Sequence, residues 1–119
     1  MVAPLEGIKV VEVANWLAAP ASGAIMRDLG ADVIKVETPA GDVLRGFPDV
    51  NFPGKYETRP FFESDNRGKR SIAIALDHPE GPGVVHALIR DADIFITNLT
   101  KSRMVRYKLT AEDVNMVNP

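Results

Sequence analysis

Two β-branched runs, spaced for a strand–helix–strand crossover, constrain this chain more than any other feature. Ile8 to Val13 (IKVVEV) follows Gly7 and has the apolar, β-branched character of a buried parallel strand. Val33 to Val36 (VIKV) repeats that character. Between them, Trp16 to Leu29 places Leu17, Ala21, Ala24, Ile25 and Leu29 three or four apart, which is one face of a helix. Pro20 fits the first turn, where no amide donor is missed, and Gly30 stands where a left-handed C-cap would be. Strand, helix and strand at this spacing predict a right-handed βαβ unit with parallel strands.

Periodicity disappears from Thr38 to Glu63, which holds Pro39, Pro48, Pro53 and Pro60 with Gly41, Gly46 and Gly54. This reads as one long loop, and loops of that length in compact domains are usually functional or disordered. Order returns with a strand at Ser71 to Leu76 and a helix at Asp77 to Arg90. Pro79 would lie in that helix's first turn, and Val84, Val85, Leu88 and Ile89 would form its buried face. Asp93 to Thr97 is a fourth strand, and Lys101 to Arg106 a short helix. Thr110 opens a last helix, with Asp113 completing a capping box and Leu109 and Val114 a hydrophobic staple. The fold class is therefore α/β: a Rossmann-like parallel sheet with flanking helices.

With 119 residues the chain is the size of one domain. It has no cysteine, which excludes disulfides, thiolate metal sites and a cysteine nucleophile. His78 and His86 stand without a carboxylate cluster, so no metal is expected. A net charge of −2 gives no field to attract nucleic acid or membrane. The start lacks a basic region followed by a long apolar run, so a cytoplasmic location is expected. The end, Asn118-Pro119, follows a helix where a strand would come next, and the sequence reads as cut off.

An NAD or FAD site is the first idea for such a fold. After the first strand, however, the chain reads Ala14-Asn-Trp-Leu-Ala-Ala-Pro-Ala-Ser-Gly23, with no G-x-G-x-x-G. Trp16 and Leu17 stand where a pyrophosphate would need bare backbone. The basic residues say more. Of 14 lysines and arginines, seven fall in two acid-free stretches: Arg67, Lys69 and Arg70, then Lys101, Arg103, Arg106 and Lys108. Such local imbalance suggests an anion site, and Asn98 to Lys101 lies where a strand ends and a helix opens. Solvated surface charge is the plain alternative. Asp28, Asp32, Glu37, Asp91 and Asp93 read as caps and surface charges. His86 reads as partly buried, and Ser22 has no nucleophile elbow around it. Asn15 and Trp16 leave the first strand toward the ligand side, either to line a pocket or merely to start the helix.

Several segments in order resemble a known family: Pro4 to Val13, Ala18-Ala-Pro20, Asp28 to Glu37, Asn66-Arg-Gly-Lys-Arg-Ser71, Pro79-Glu-Gly81, Asp91-Ala-Asp93 and Asn118-Pro119. Together they look like the opening of the family III CoA-transferases, the superfamily of formyl-CoA, carnitine and bile-acid CoA-transferases and α-methylacyl-CoA racemase. The resemblance implies the amino-terminal part of a CoA-binding Rossmann-like domain, with the rest of an interlaced homodimeric enzyme absent. It implies acyl-CoA and a carboxylic acid acceptor as substrates, without metal or NAD. By position, Trp16, Leu17 and Ala18 would border the thioester end of CoA. Thr38, Ile74, Ala75, Leu76 and Asp77 would lie near the adenosine. Asn98, Leu99 and Thr100 would contact nucleotide and pantetheine, with Arg106 near a phosphate.

The family's chemistry runs through an aspartate that forms a mixed anhydride and then an enzyme thioester. That aspartate would lie downstream, so residues 1–119 alone are expected to be inactive. Four positions depart from the pattern. Thr38 replaces a basic residue of formyl-CoA transferase, and Leu99 a common aromatic. Leu17 replaces an active-site amide of formyl-CoA transferase, and Asp77 replaces a frequent basic residue near the adenosine phosphate, where an acid would repel it. An acyl-CoA racemase on the same fold, using acid–base chemistry, is the nearest alternative, and the long Thr38 to Glu63 loop favours the transferase. A noncatalytic CoA- or nucleotide-binding module is the alternative from another class.

Overall fold

The structure is a computed structural model that describes residues 2–46 and 59–119. Among the described residues four strands form one sheet: β1 (Lys9–Val13), β2 (Asp32–Glu37), β3 (Arg70–Ala73) and β4 (Ile94–Thr97). All pairings are parallel and the order is β3-β2-β1-β4. Among the described residues six helices flank it: α1 (Ala18–Asp28), α2 (Val43–Gly46), α3 (Pro60–Asn66), α4 (Gly81–Ile89), α5 (Lys101–Arg106) and α6 (Ala111–Val117). The chain first steps outward from β1 to β2 and β3, then returns to the other side of β1 as β4. That reversal makes the crevice between the carboxyl ends of β1 and β4 the topological switch point, where open α/β sheets bind ligands.

Side-chain alternation splits the strands between two layers. Val11, Val13 and Val36 join Val85 and Ile89 of α4, with Ile74, Leu76 and Leu109, in one buried cluster. Val114 and Val117 of α6 pack against it. On the opposite face Val10 and Val33 join Ala31, with Met26 of α1 against them. Capping fixes the ends. The Thr110–Asp113 capping box is present, Thr110 Oγ1 accepting from the Asp113 amide at 3.3 Å. Gly30 has φ +104° after α1, and a Cβ there would meet Ala3 Cβ at 2.6 Å. Asn118 donates to the carbonyls of Ile89 and Ala92, tying the end of α6 to the end of α4.

Three sequence expectations need correction. The predicted apolar face of α1 largely points outward: Ile25 is 55% exposed, and Leu17 and Leu29 are also exposed. The face that packs is Pro20, Gly23 and Ala24. Small residues were required there because the helix lies against charged groups on the sheet, described below. Helix α4 starts at Gly81 rather than Asp77, since the preceding residues turn through His78 N–H to Ala75 O and Gly81 N–H to His78 O bonds. Pro82 rather than Pro79 lies in its first turn, and Val84 faces out. Finally, the predicted loop from Thr38 to Glu63 contains α2 and the start of α3; its residues 47–58 lie outside the described residues.

Candidate functional site

A parallel sheet delivers every strand's carboxyl end to one edge. Four connections therefore meet there: Ala14 to Leu17, Thr38 to Asp42, Ile74 to Glu80 and Asn98 to Thr100. At the switch point the first and last of these interlock. The Asn98 side-chain amide donates to the Asn15 carbonyl at 2.6 Å, and its oxygen accepts from the Asn15 amide at 3.1 Å. Asn98 thus donates to and accepts from the backbone of one residue, which ties the turn leading into Trp16 and Leu17 to the one leading into Leu99 and Thr100. Trp16 itself has φ +72°, a conformation that L side chains rarely adopt. It and Leu17 stay about two-fifths exposed at the mouth of the crevice.

The other predicted site residues divide. Ile74 and Leu76 put their side chains into the core, leaving Ala75 and Asp77 facing out. Asp77 pairs with Arg106 at 2.7 Å, and both line a hollow of about 240 Å³ with Leu76, His78, Pro79, Pro82 and Lys108. The acid that would repel a phosphate is thus held by the base that would bind one. Thr38 lies in a separate hollow of about 290 Å³, its hydroxyl bonded to the Gly41 carbonyl at 3.3 Å. Thr100 is the N-cap residue of α5, and Leu99 packs on the core edge. A larger cavity of about 530 Å³ follows the free edge of β4 and is lined by Phe95, Met104, Leu109 and Val114 among others. None of the predicted residues lines it.

The first basic stretch is not an anion site. Arg67 pairs with Asp28 and Arg70 with Asp32, all four about half exposed or more, while the side chain of Lys69 is buried. Asp28 and Asp32 are consistent with surface charges, and Asp93 accepts from the Lys9 amide at 2.8 Å. His86 is partly buried, its Nε2 2.6 Å from the Lys108 carbonyl. Ser22 donates back to the Ala19 carbonyl within α1. Among the described residues no group of histidine and carboxylate side chains could hold a metal ion. Among them, too, no helix is long and apolar enough to cross a membrane.

Sequence reasoning missed a buried charge cluster behind the crevice. Glu12 on β1 and Lys35, its register partner on β2, are fully buried. Lys35 Nζ contacts Glu12 Oε1 at 3.1 Å, Asp42 Oδ2 at 2.9 Å and the Ala14 carbonyl at 2.9 Å. Lys69 Nζ contacts Glu12 Oε2 and the Pro20 carbonyl, each at 2.8 Å, and Asn66 Oδ1 at 2.9 Å. Lys69 Nζ thus has three hydrogen-bond acceptors for the three protons of an ammonium, while Lys35 Nζ donates to two and meets Asp42 as an ion pair. Two ammoniums face two carboxylates, so the cluster closes neutral. Burial pushes the Lys69 ammonium below its ordinary pKa, against the opposing pull of Glu12.

Glu37, expected at the surface, is also buried, at 5% exposure. Its carboxylate takes two bonds of 2.7 Å from Arg45 and one of 2.7 Å from Ser71, and Arg45 stacks 3.8 Å from the Phe62 ring centre. Burial alone would raise its pKa, but Arg45, Ser71 and the Asp42 amide together hold it down at about 2. A carboxylate depressed in the folded state stabilises fully above its unfolded value of 4.5, and that stability drains as pH falls toward 2. Arg45 is itself 45% exposed, so solvent screening limits the contribution to about 1–3 kcal/mol. Glu37→Gln should therefore flatten the loss of stability between pH 4.5 and 2, measured by urea unfolding at stepped pH. An unchanged slope would place Glu37 outside the acid response.

The family profile described as CoA-transferase family III matches residues 5–119. The chain is 42% identical to the succinate–glutarate CoA-transferase of Agrobacterium fabrum, over 98% of this chain and 30% of that protein. It is 37% identical to the cinnamoyl-CoA:phenyllactate CoA-transferase of Clostridium sporogenes, over 95% of this chain and 28% of that one. The crystal structure of a CaiB/BaiF family protein from Brucella suis superposes with a TM-score of 0.89 at 40% identity, covering all of this chain and 32% of that one. The chain thus spans about 30% of the length of a curated relative it matches. A parallel sheet with its switch point at Asn15 and Asn98, matched by this profile over nearly every residue, belongs to CoA-transferase family III.

Proposed function

We propose that this chain is the coenzyme A-binding segment of an enzyme that moves CoA between an acyl-CoA thioester and a carboxylic acid. The observation that carries the reading is the Asn15–Asn98 interlock at the switch point of a family III sheet. In this reading Trp16, Leu17 and Ala18 border the thioester end, and Asn98, Leu99 and Thr100 meet nucleotide and pantetheine. Thr38, Ala75 and Asp77 flank the adenosine part, and Ile74 and Leu76 contribute backbone only. Arg106 takes a phosphate in exchange for Asp77. The nucleophile is an aspartate elsewhere in the full-length enzyme, attacking the thioester carbonyl and expelling the CoA thiolate. Most of the described aspartates have other partners. Asp28 and Asp32 pair with arginines, Asp42 with Lys35 and Asp77 with Arg106, while Asp93 and Asp113 bond backbone amides or a cap hydroxyl.

Calorimetric titration with CoA, acetyl-CoA and NAD in parallel tests the assignment. CoA and acetyl-CoA should bind and NAD should not. Arg106→Ala should weaken CoA binding by roughly tenfold, the loss of one charge-assisted hydrogen bond. Asp77→Asn should tighten it severalfold at low salt by releasing Arg106, and the gain should shrink as salt rises. NAD binding as well as CoA, or Arg106→Ala matching the parent at low salt, would remove the assignment.

A further inference from the structure

We propose that the buried Glu12–Lys35–Lys69 cluster is a positioning device that sets the conformation of the Trp16 turn. Each lysine donates one bond to a backbone carbonyl, Lys35 to Ala14 at 2.9 Å and Lys69 to Pro20 at 2.8 Å. These carbonyls flank the segment that holds Trp16, Leu17 and Ala18. Asn98 grips the same segment at Asn15. A tryptophan at φ +72° is an unfavourable backbone state that persists only where its surroundings over-determine it. Three fixed points within seven residues supply that constraint. Glu12 is the shared element, since one oxygen takes Lys35 and the other takes Lys69. Gly23 lets α1 approach closely enough for the Pro20 carbonyl to reach Lys69, because a Cβ there would lie 2.1 Å from Glu12 Oε2.

The role in ligand binding rests on the CoA reading, but the positioning role does not. Trp16 is the chain's sole tryptophan, so its fluorescence reports this turn alone. Lys69→Met removes the bond to Pro20. The double variant Glu12→Gln with Lys69→Met also removes the charge that the single change leaves poorly neutralised. In the 119-residue chain, either variant, with far-UV circular dichroism unchanged, should show lower Trp16 anisotropy. Acrylamide quenching should rise by about twofold as the turn opens locally. Arg67→Met, which loses the surface pair with Asp28 and a bond to the Ser64 carbonyl but touches neither Glu12 nor the Trp16 turn, should leave both readouts unchanged.

A folded variant with the parent's anisotropy and quenching overturns the proposal. So does loss of folding in both cluster variants, because the cluster would then hold the whole fold rather than the turn. CoA titration of the same samples separates the two readings. If the parent binds CoA, the variants should bind it about tenfold more weakly. If the parent binds none while Trp16 still responds, the positioning role stands and the CoA reading falls.

Discussion

Gly23→Ala is expected to destabilise this chain by about 3–5 kcal/mol, against the usual direction for such a change. In an ordinary helix interior, replacing glycine by alanine stabilises by about 1 kcal/mol. Here the new Cβ would lie 2.1 Å from Glu12 Oε2 and 3.2 Å from the Lys69 Cε and Nζ atoms. The Glu12 carboxylate cannot swing away without losing Lys35, Lys69 or both, because those are its buried ionic partners. Either α1 lifts from the sheet or the ion pairs break. Overpacking costs about 1–3 kcal/mol and a broken buried pair about 3–5 kcal/mol. Urea unfolding followed by circular dichroism measures the difference. A stabilised Gly23→Ala variant would mean that α1 does not lie this close to β1.

The second large effect is expected at Lys35. Lys35→Met leaves two carboxylates essentially without solvent, Glu12 with Lys69 alone and Asp42 with no cation, only the Leu44 amide. Breaking a buried pair on one side costs about 3–5 kcal/mol, because Asp42 is then left as a buried charge with no opposite charge to offset it. Arg70→Met is the contrast. Its pair with Asp32 is mostly solvated and should cost no more than about 1 kcal/mol. Equal unfolding midpoints for the two variants would show that Lys35 reaches solvent and that the cluster is not buried.

Both effects arise from groups that the sequence displayed without explaining. Glu12 and Lys35 stand in the middle of two strands read as buried on both faces. Charges of opposite sign at such positions must be paired, and the parallel register places them side by side. That much could have been inferred. Lys69 could not, because it is separated from Glu12 by 57 residues and its stretch reads equally well as surface charge. The α1 face failed for the same reason. Counting apolar spacing selects Leu17, Ala21, Ala24, Ile25 and Leu29, of which only Ala24 is buried, and α1 packs against the sheet through Pro20, Gly23 and Ala24, with Gly23 against the ionic cluster.

The sequence by itself determined the βαβ order, the strand positions to within a few residues and the capping box at Thr110, because these depend on local spacing and turn chemistry. Family membership was also legible, through motifs in fixed order. Only the tertiary structure decided which charges are structural and which face the crevice. It paired Arg67 and Arg70 with surface carboxylates, Lys69 with the buried Glu12, and Arg106 with Asp77. It also closed Asn98 onto Asn15 across 83 residues of chain. The physical reason is that a charge's role depends on the solvent and partners around it, and both are set by contacts between segments far apart in sequence.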